Sequence, residues 1–78
     1  MVENWKNYET WNIALAINNN KDLYFATCDW VKKNPNKEYK DYIRDMNLIG
    51  VRTNDGVSFN SNKLDRKALT GMLKDILN

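Results

Sequence analysis

Histidine is missing from this 78-residue sequence. That removes the commonest general base and the commonest metal ligand. Cysteine occurs once, as Cys28. No disulfide can close within the chain, so an oxidising compartment would add nothing to its stability. Cys28 also has no histidine to activate it for nucleophilic work, and reads as a small packing residue. The three glycines, Gly50, Gly56 and Gly71, stand apart from one another. Neither a P-loop nor a dinucleotide fingerprint can be built from them. No apolar run approaches the ~18–20 residues of a membrane span. Met1-Val2-Glu3-Asn4-Trp5 has no basic region leading into an apolar one, so no signal peptide is expected. These absences predict a cytoplasmic protein with no membrane contact, no metal and no cofactor.

What is present is a modest amount of everything else. The length suits a single small globular domain over residues 1–78. A domain of this size buries roughly 60% of its unfolded surface. The 12% aromatic content helps, because each ring buries a large area. Net charge is +2 and the pI is near 8.7. That is too mild to imply nucleic acid on charge alone.

The pattern predicts an α+β class that is mainly helical: three helices, a short β-hairpin and a C-terminal helix. The first helix spans 7–19, capped by Asn7, with Glu9 meeting the helix dipole. Ile13, Ile17, Ala14, Trp11 and Leu15 sweep an arc of about 200°, wide enough for neighbours on two sides. The rest of the chain is expected to organise around this helix, with Tyr8 and Asn12 on its less apolar side. Asn20 caps a second helix over Lys21–Lys33, whose core face is Leu23, Tyr24, Ala26, Thr27, Trp30 and Val31. Asn34-Pro35 stops it. A third helix over Lys37–Met46, capped by Asn36, has Tyr39, Tyr42, Ile43 and Met46 at i, i+3, i+4 and i+7, and Gly50 lies past its end. Val51-Arg52-Thr53 and Val57-Ser58-Phe59 alternate around Asn54-Asp55-Gly56, the signature of a hairpin. The last helix starts from Asp65, with Leu64 and Leu69 as a hydrophobic staple and Leu69, Met72, Leu73, Ile76 and Leu77 on one face. Gly71 falls on its polar side.

Several constellations invite a chemical reading and fail it. Residues 54–62 hold oxygen ligands near a glycine, but lack the spacing and closing glutamate of a calcium loop. Asp41 and Asp45 are four apart among Lys37, Lys40 and Arg44, the usual arrangement of a solvated face. No catalytic residue is assigned, and the chain is read as no enzyme. Two features remain for binding. Residues 31–52 carry six basic and three acidic side chains, including Lys32, Lys33, Lys37 and Lys40, a weak phosphate-facing patch. Trp5 and Phe25 are the aromatics the core does not demand, and Tyr24, on the core face of the second helix, is left open between core and surface. They either cover the domain's own core or form a contact patch. Trp5 in particular is either tucked onto the domain or an exposed anchor.

Asn7-Tyr8-Glu9-Thr10-Trp11-Asn12, the following Asp22-Leu23-Tyr24 step, the Asp55-Gly56-Val57 turn and the Leu64-Asp65 helix start resemble a family of small proteins of bacteriophages and prophages. The resemblance implies a phage origin and a host-cytoplasm setting, and brings no functional residue with it. On these grounds the expected function is that of a non-enzymatic phage accessory protein. It would bind and inhibit a bacterial host or defence protein, or a protein–nucleic acid complex, by steric occlusion, anti-CRISPR proteins being one example of the class. The expected contact residues are Trp5, Tyr24, Phe25, Lys32 and Lys33. The alternative is a nucleic-acid-binding accessory protein using the basic 31–52 segment. A homodimer is compatible with either.

Overall fold

The computed structural model describes residues 5–76. Leu77, expected on the last helix, lies outside them, as does the lead-in before Trp5. The chain runs α1 (Tyr8–Asn19), α2 (Lys21–Lys33), α3 (Tyr39–Asp45) and α4 (Arg66–Asp75). Among the described residues no strand forms, so the α+β class is overturned. This is a small four-helix domain, joined between α3 and α4 by a long irregular segment.

The first two helices start and stop where asparagine permits. Asn7 Oδ1 accepts the Thr10 N–H at 2.9 Å, and Asn20 Oδ1 accepts that of Leu23 at 3.1 Å. α3 is shorter than its periodicity suggests. Residues 34–37 form a turn after Pro35, with the Lys37 N–H bonded to the Asn34 carbonyl at 3.2 Å. The cap is therefore Glu38, not Asn36; the Asp41 side chain reaches back to the Glu38 N–H at 3.0 Å. The far end also differs from expectation. Asn47, at φ 58°, takes the left-handed position. The Leu48 N–H then bonds the Ile43 carbonyl at 2.8 Å and the Asn47 N–H that of Arg44 at 3.3 Å. That is a Schellman closure made with asparagine. Gly50 serves the next turn, at φ 85°. Asp65 caps α4 through the Ala68 N–H at 3.1 Å.

The expected hairpin reduces to a single antiparallel bridge between Arg52 and Ser58. Two backbone bonds flank it, Thr53 N–H to Val57 O and Phe59 N–H to Val51 O, at 2.8 and 2.9 Å. The alternation is real on one arm only. Val57 and Phe59 are buried, but Val51 is 41% exposed, so the first arm has no inward face. A two-bond ladder is marginal. The rest of this backbone is held by side chains: the Tyr39 hydroxyl donates to Phe59 O at 2.6 Å, and Asn60 Oδ1 accepts the Gly50 N–H at 3.1 Å.

The core gathers Ile13 and Ile17 from α1, Trp30 and Val31 from α2, Tyr39, Tyr42 and Ile43 from α3, and Leu69 and Leu73 from α4. Val57, Phe59 and Leu64 enter it from the 46–65 segment. α1 packs against α2 and α4, as its wide arc implies, and α4 packs against all three other helices; α2 also reaches all three, meeting α3 through Thr27–Tyr42 and Trp30–Asp45. The arc itself is turned. Thr10 and Asn12 are buried with Ile13, Ala14 and Ile17, while Leu15 is 36% exposed and Trp11 is half-buried. The buried arc keeps its width and is rotated by about 100°, one residue step.

That rotation has a polar cause. The Asn7 Nδ2 donates to Lys63 O at 2.6 Å. Thr10 Oγ1 donates to Asn7 Oδ1 at 2.6 Å and accepts the Asp65 N–H at 2.9 Å. Asn12 Nδ2 donates to Asp55 Oδ2 at 2.7 Å, and Asn12 Oδ1 accepts the Thr53 hydroxyl at 2.6 Å. Three polar side chains of the Asn7–Asn12 stretch thus fasten the 46–65 segment and the entry to α4 onto α1.

Candidate functional site

α2 places the expected contact residues on the surface and divides them. Leu23, Thr27, Trp30 and Val31 turn inward. Thr27 is fully buried, and its hydroxyl donates to Leu23 O at 2.6 Å. With that hydrogen committed, the Tyr42 hydroxyl is the donor in the 2.6 Å contact between the two. The opposite side of α2 carries Lys21, Phe25, Cys28 and Lys32 at i, i+4, i+7 and i+11, one face of a helix, with Tyr24 at its edge. Tyr24 and Ala26 were expected in the core; Tyr24 is half-buried and Ala26 exposed.

Phe25 is 60% exposed, and its ring lies 6.2 Å from that of Tyr24 at an interplanar angle of 58°. Cys28 is half-buried beside them. Its hydrogen bond and charge raise the Tyr24 hydroxyl above its ordinary pKa. Lys32 follows on the same face about 10 Å further along the axis. Lys33 lies about 80° round the helix from Phe25 and pairs with Asp29 at 3.1 Å. Trp5 packs, partly buried, against the core. The structure therefore brings Tyr24 and Phe25 together with Lys32 further along the same face, engages Lys33 with Asp29 at the flank of that face, and packs Trp5 against the core.

Periodicity pointed Trp11 and Leu15 inward, and the structure turns both away from the core, toward the side where Tyr8 was expected and is found. Tyr8, Trp11 and Leu15 follow i, i+3 and i+7 on α1. Tyr8 is 46% exposed, with its ring 5.6 Å from Trp11. Only the buried polar Thr10 and Asn12 betray this orientation, and neither residue type announces burial.

The charged groups of residues 31–52 are partly consumed. Lys37 lies 3.6 Å from Asp45. Arg44 reaches Asp41 at 3.1 Å and Asp45 at 3.5 Å. The Trp30 indole N–H donates to Asp45 Oδ2 at 3.0 Å. That bond, with Lys37 and Arg44 beside it, holds the Asp45 carboxyl below its usual range. The Asp41 and Asp45 carboxylates thus serve as acceptors in a surface network.

A cleft of about 620 Å³ opens between the α1–α2 junction and the 48–54 segment, with Leu23, Leu48, Val51 and Phe59 in its wall and Arg52 at hand. The Arg52 guanidinium is bonded to Gly56 O at 2.8 Å. Among the described residues, no group of three or more Cys, Asp and Glu side chains is arranged to hold a metal ion, and no helix is long and apolar enough to cross a membrane.

No curated protein and no solved structure matches the chain. A family model does, over residues 3–78: the chain belongs to the family of unknown function DUF7249.

Proposed function

We propose that this chain is a non-enzymatic accessory protein of phage origin that binds a protein of a bacterial host or defence complex and inhibits it by occlusion. Its contact surface is the outward face of α2. The observation that carries this reading is the Tyr24–Phe25 pair. Phe25 is a large ring held 60% in water on a regular, well-capped helix. Exposed aromatics of this kind supply the anchors of protein interfaces. Lys21 and Lys32 frame the pair with charge, the polar rim such interfaces carry. An interface of standard size, about 800 Å² per partner, would take a large share of so small a surface.

The ion pairs of Lys33, Lys37 and Arg44 weigh against the rival reading, in which residues 31–52 follow a nucleic-acid backbone. Charges already neutralised by carboxylates displace fewer counterions. Salt and nuclease separate the two. Tagged protein is used to capture partners from bacterial lysate, with and without nuclease, at about 50 and about 500 mM salt. One stoichiometric protein retained in all four conditions supports the aromatic interface. Capture lost with nuclease, or falling steeply with salt, supports the nucleic-acid reading instead.

A further inference from the structure

We propose that the recess between α3 and the first turns of α4 binds a phosphate monoester. It goes beyond the α2 interface and does not depend on it. The recess measures about 250 Å³ and is lined by Glu38, Lys40, Arg66, Lys67 and Thr70. That is below the roughly 300–1,000 Å³ of sites that enclose a drug-sized ligand. It suits a headgroup, with the remainder of the ligand outside.

The arrangement of charge sets this recess apart. Lys33, Lys37 and Arg44 all face carboxylates within 4 Å. Among the described residues, Lys40, Arg66 and Lys67 form no ion pair, as is also true of Lys6, Lys21, Lys32, Arg52 and Lys63, but these three meet at one recess. Three cations drawn together by the packing of α3 on α4 repel one another. Glu38 offsets one of them. Two net positive charges remain, the complement of a phosphate monoester, which carries about −1.5 to −2 near pH 7.

The hydrogen-bonding groups match as well. One Arg66 nitrogen donates to Asn60 O at 3.2 Å, which steadies the guanidinium and leaves its other N–H groups for a planar, two-pronged contact with phosphate oxygens. Thr70 Oγ1 accepts the Tyr39 N–H at 2.9 Å, so its hydroxyl hydrogen is the group left to donate. Lys40 and Lys67 add mobile ammonium donors. A phosphodiester carries one charge fewer and has substituents on two sides, and fits this recess less well.

The test is a two-dimensional NMR titration of the 15N-labelled chain at constant ionic strength. The probes are inorganic phosphate, glycerol phosphate and a short single-stranded oligonucleotide, with sodium chloride as the baseline. Saturable shifts at Lys40, Arg66, Lys67 and Thr70 with phosphate and glycerol phosphate are expected. The Lys40→Glu/Lys67→Glu variant should bind glycerol phosphate at least about tenfold more weakly, with its spectrum showing an intact fold. Lys32→Glu should leave that affinity unchanged. Absence of saturable shifts, or an unchanged affinity in the double variant, overturns the proposal. So does an oligonucleotide that binds more tightly per phosphate than glycerol phosphate, which would assign the recess to a nucleic-acid backbone.

Discussion

Asn12 is 2% exposed, and both ends of its carboxamide are bonded to the 46–65 segment. Removing it takes the acceptor from the half-buried Thr53 hydroxyl and a donor from the exposed Asp55 carboxylate. Asn12→Ala should cost about 1–3 kcal/mol in urea unfolding. Asn12→Asp should be worse near neutral pH, because two carboxylates would then share one site. The shared proton raises a folded-state pKa, so that variant's stability should be present in acid and fall as pH rises through the carboxylate range. Two tyrosines act at the other end of the scale. Burial pushes the Tyr42 hydroxyl up to about 12 and raises Tyr39 as well. An unfolded tyrosine ionises near 10. The native state therefore holds protons that the unfolded chain releases, and stability is full below about pH 10 and is lost as pH rises toward 12. Chemical unfolding followed by circular dichroism from pH 9 upward should show this, with a shallower decline in Tyr42→Phe.

At the level of elements, the sequence was most legible where a cap and a periodicity agreed. Asn7, Asn20 and Asp65 start three helices where expected, and Lys21–Lys33 is α2 to the residue. It was least legible where backbone groups found side-chain partners. Residues 51–59 have strand-like alternation, yet their anchors are Asn12, Tyr39 and Asn60, contacts across the fold that no local pattern contains. The orientation of α1 was missed for the same reason: Thr10 and Asn12 are polar by type and buried by partnership. α3 lost its first turn to the turn after Pro35, and Asn47 took the left-handed role offered to Gly50. Gly71 has a simpler account. It lies on the exposed side of α4, and an added Cβ would meet nothing within 4 Å. Gly71→Ala should therefore stabilise the protein by about 0.5–1 kcal/mol, read as a raised melting temperature. An unchanged or lowered value would show that the position needs glycine for another reason. Gly56, at φ 87°, should behave oppositely, because alanine there adopts a left-handed conformation at a cost of about 1 kcal/mol.

For the whole molecule, α4 matters more than its place at the end of the chain suggests. It packs on all three other helices, and Leu69 is fully buried at its centre. Leu69→Ala should cost about 2–5 kcal/mol, enough to unfold a domain of marginal stability. The rigid frame so formed leaves the outward face of α2 free of any core duty, which is why the functional reading rests there. The candidate residues were half legible: Phe25 is an aromatic the core does not demand and Asp29–Lys33 is a local i, i+4 pair, while the choice between a tucked and an exposed Trp5 needed the fold. The most direct measurement is capture of the partner by wild type and by Phe25→Asp under identical conditions. Phe25 is exposed and outside the core, so the substitution should leave stability within about 0.5 kcal/mol and abolish recovery of the partner. Recovery at wild-type levels by a folded Phe25→Asp protein would contradict an interface on α2.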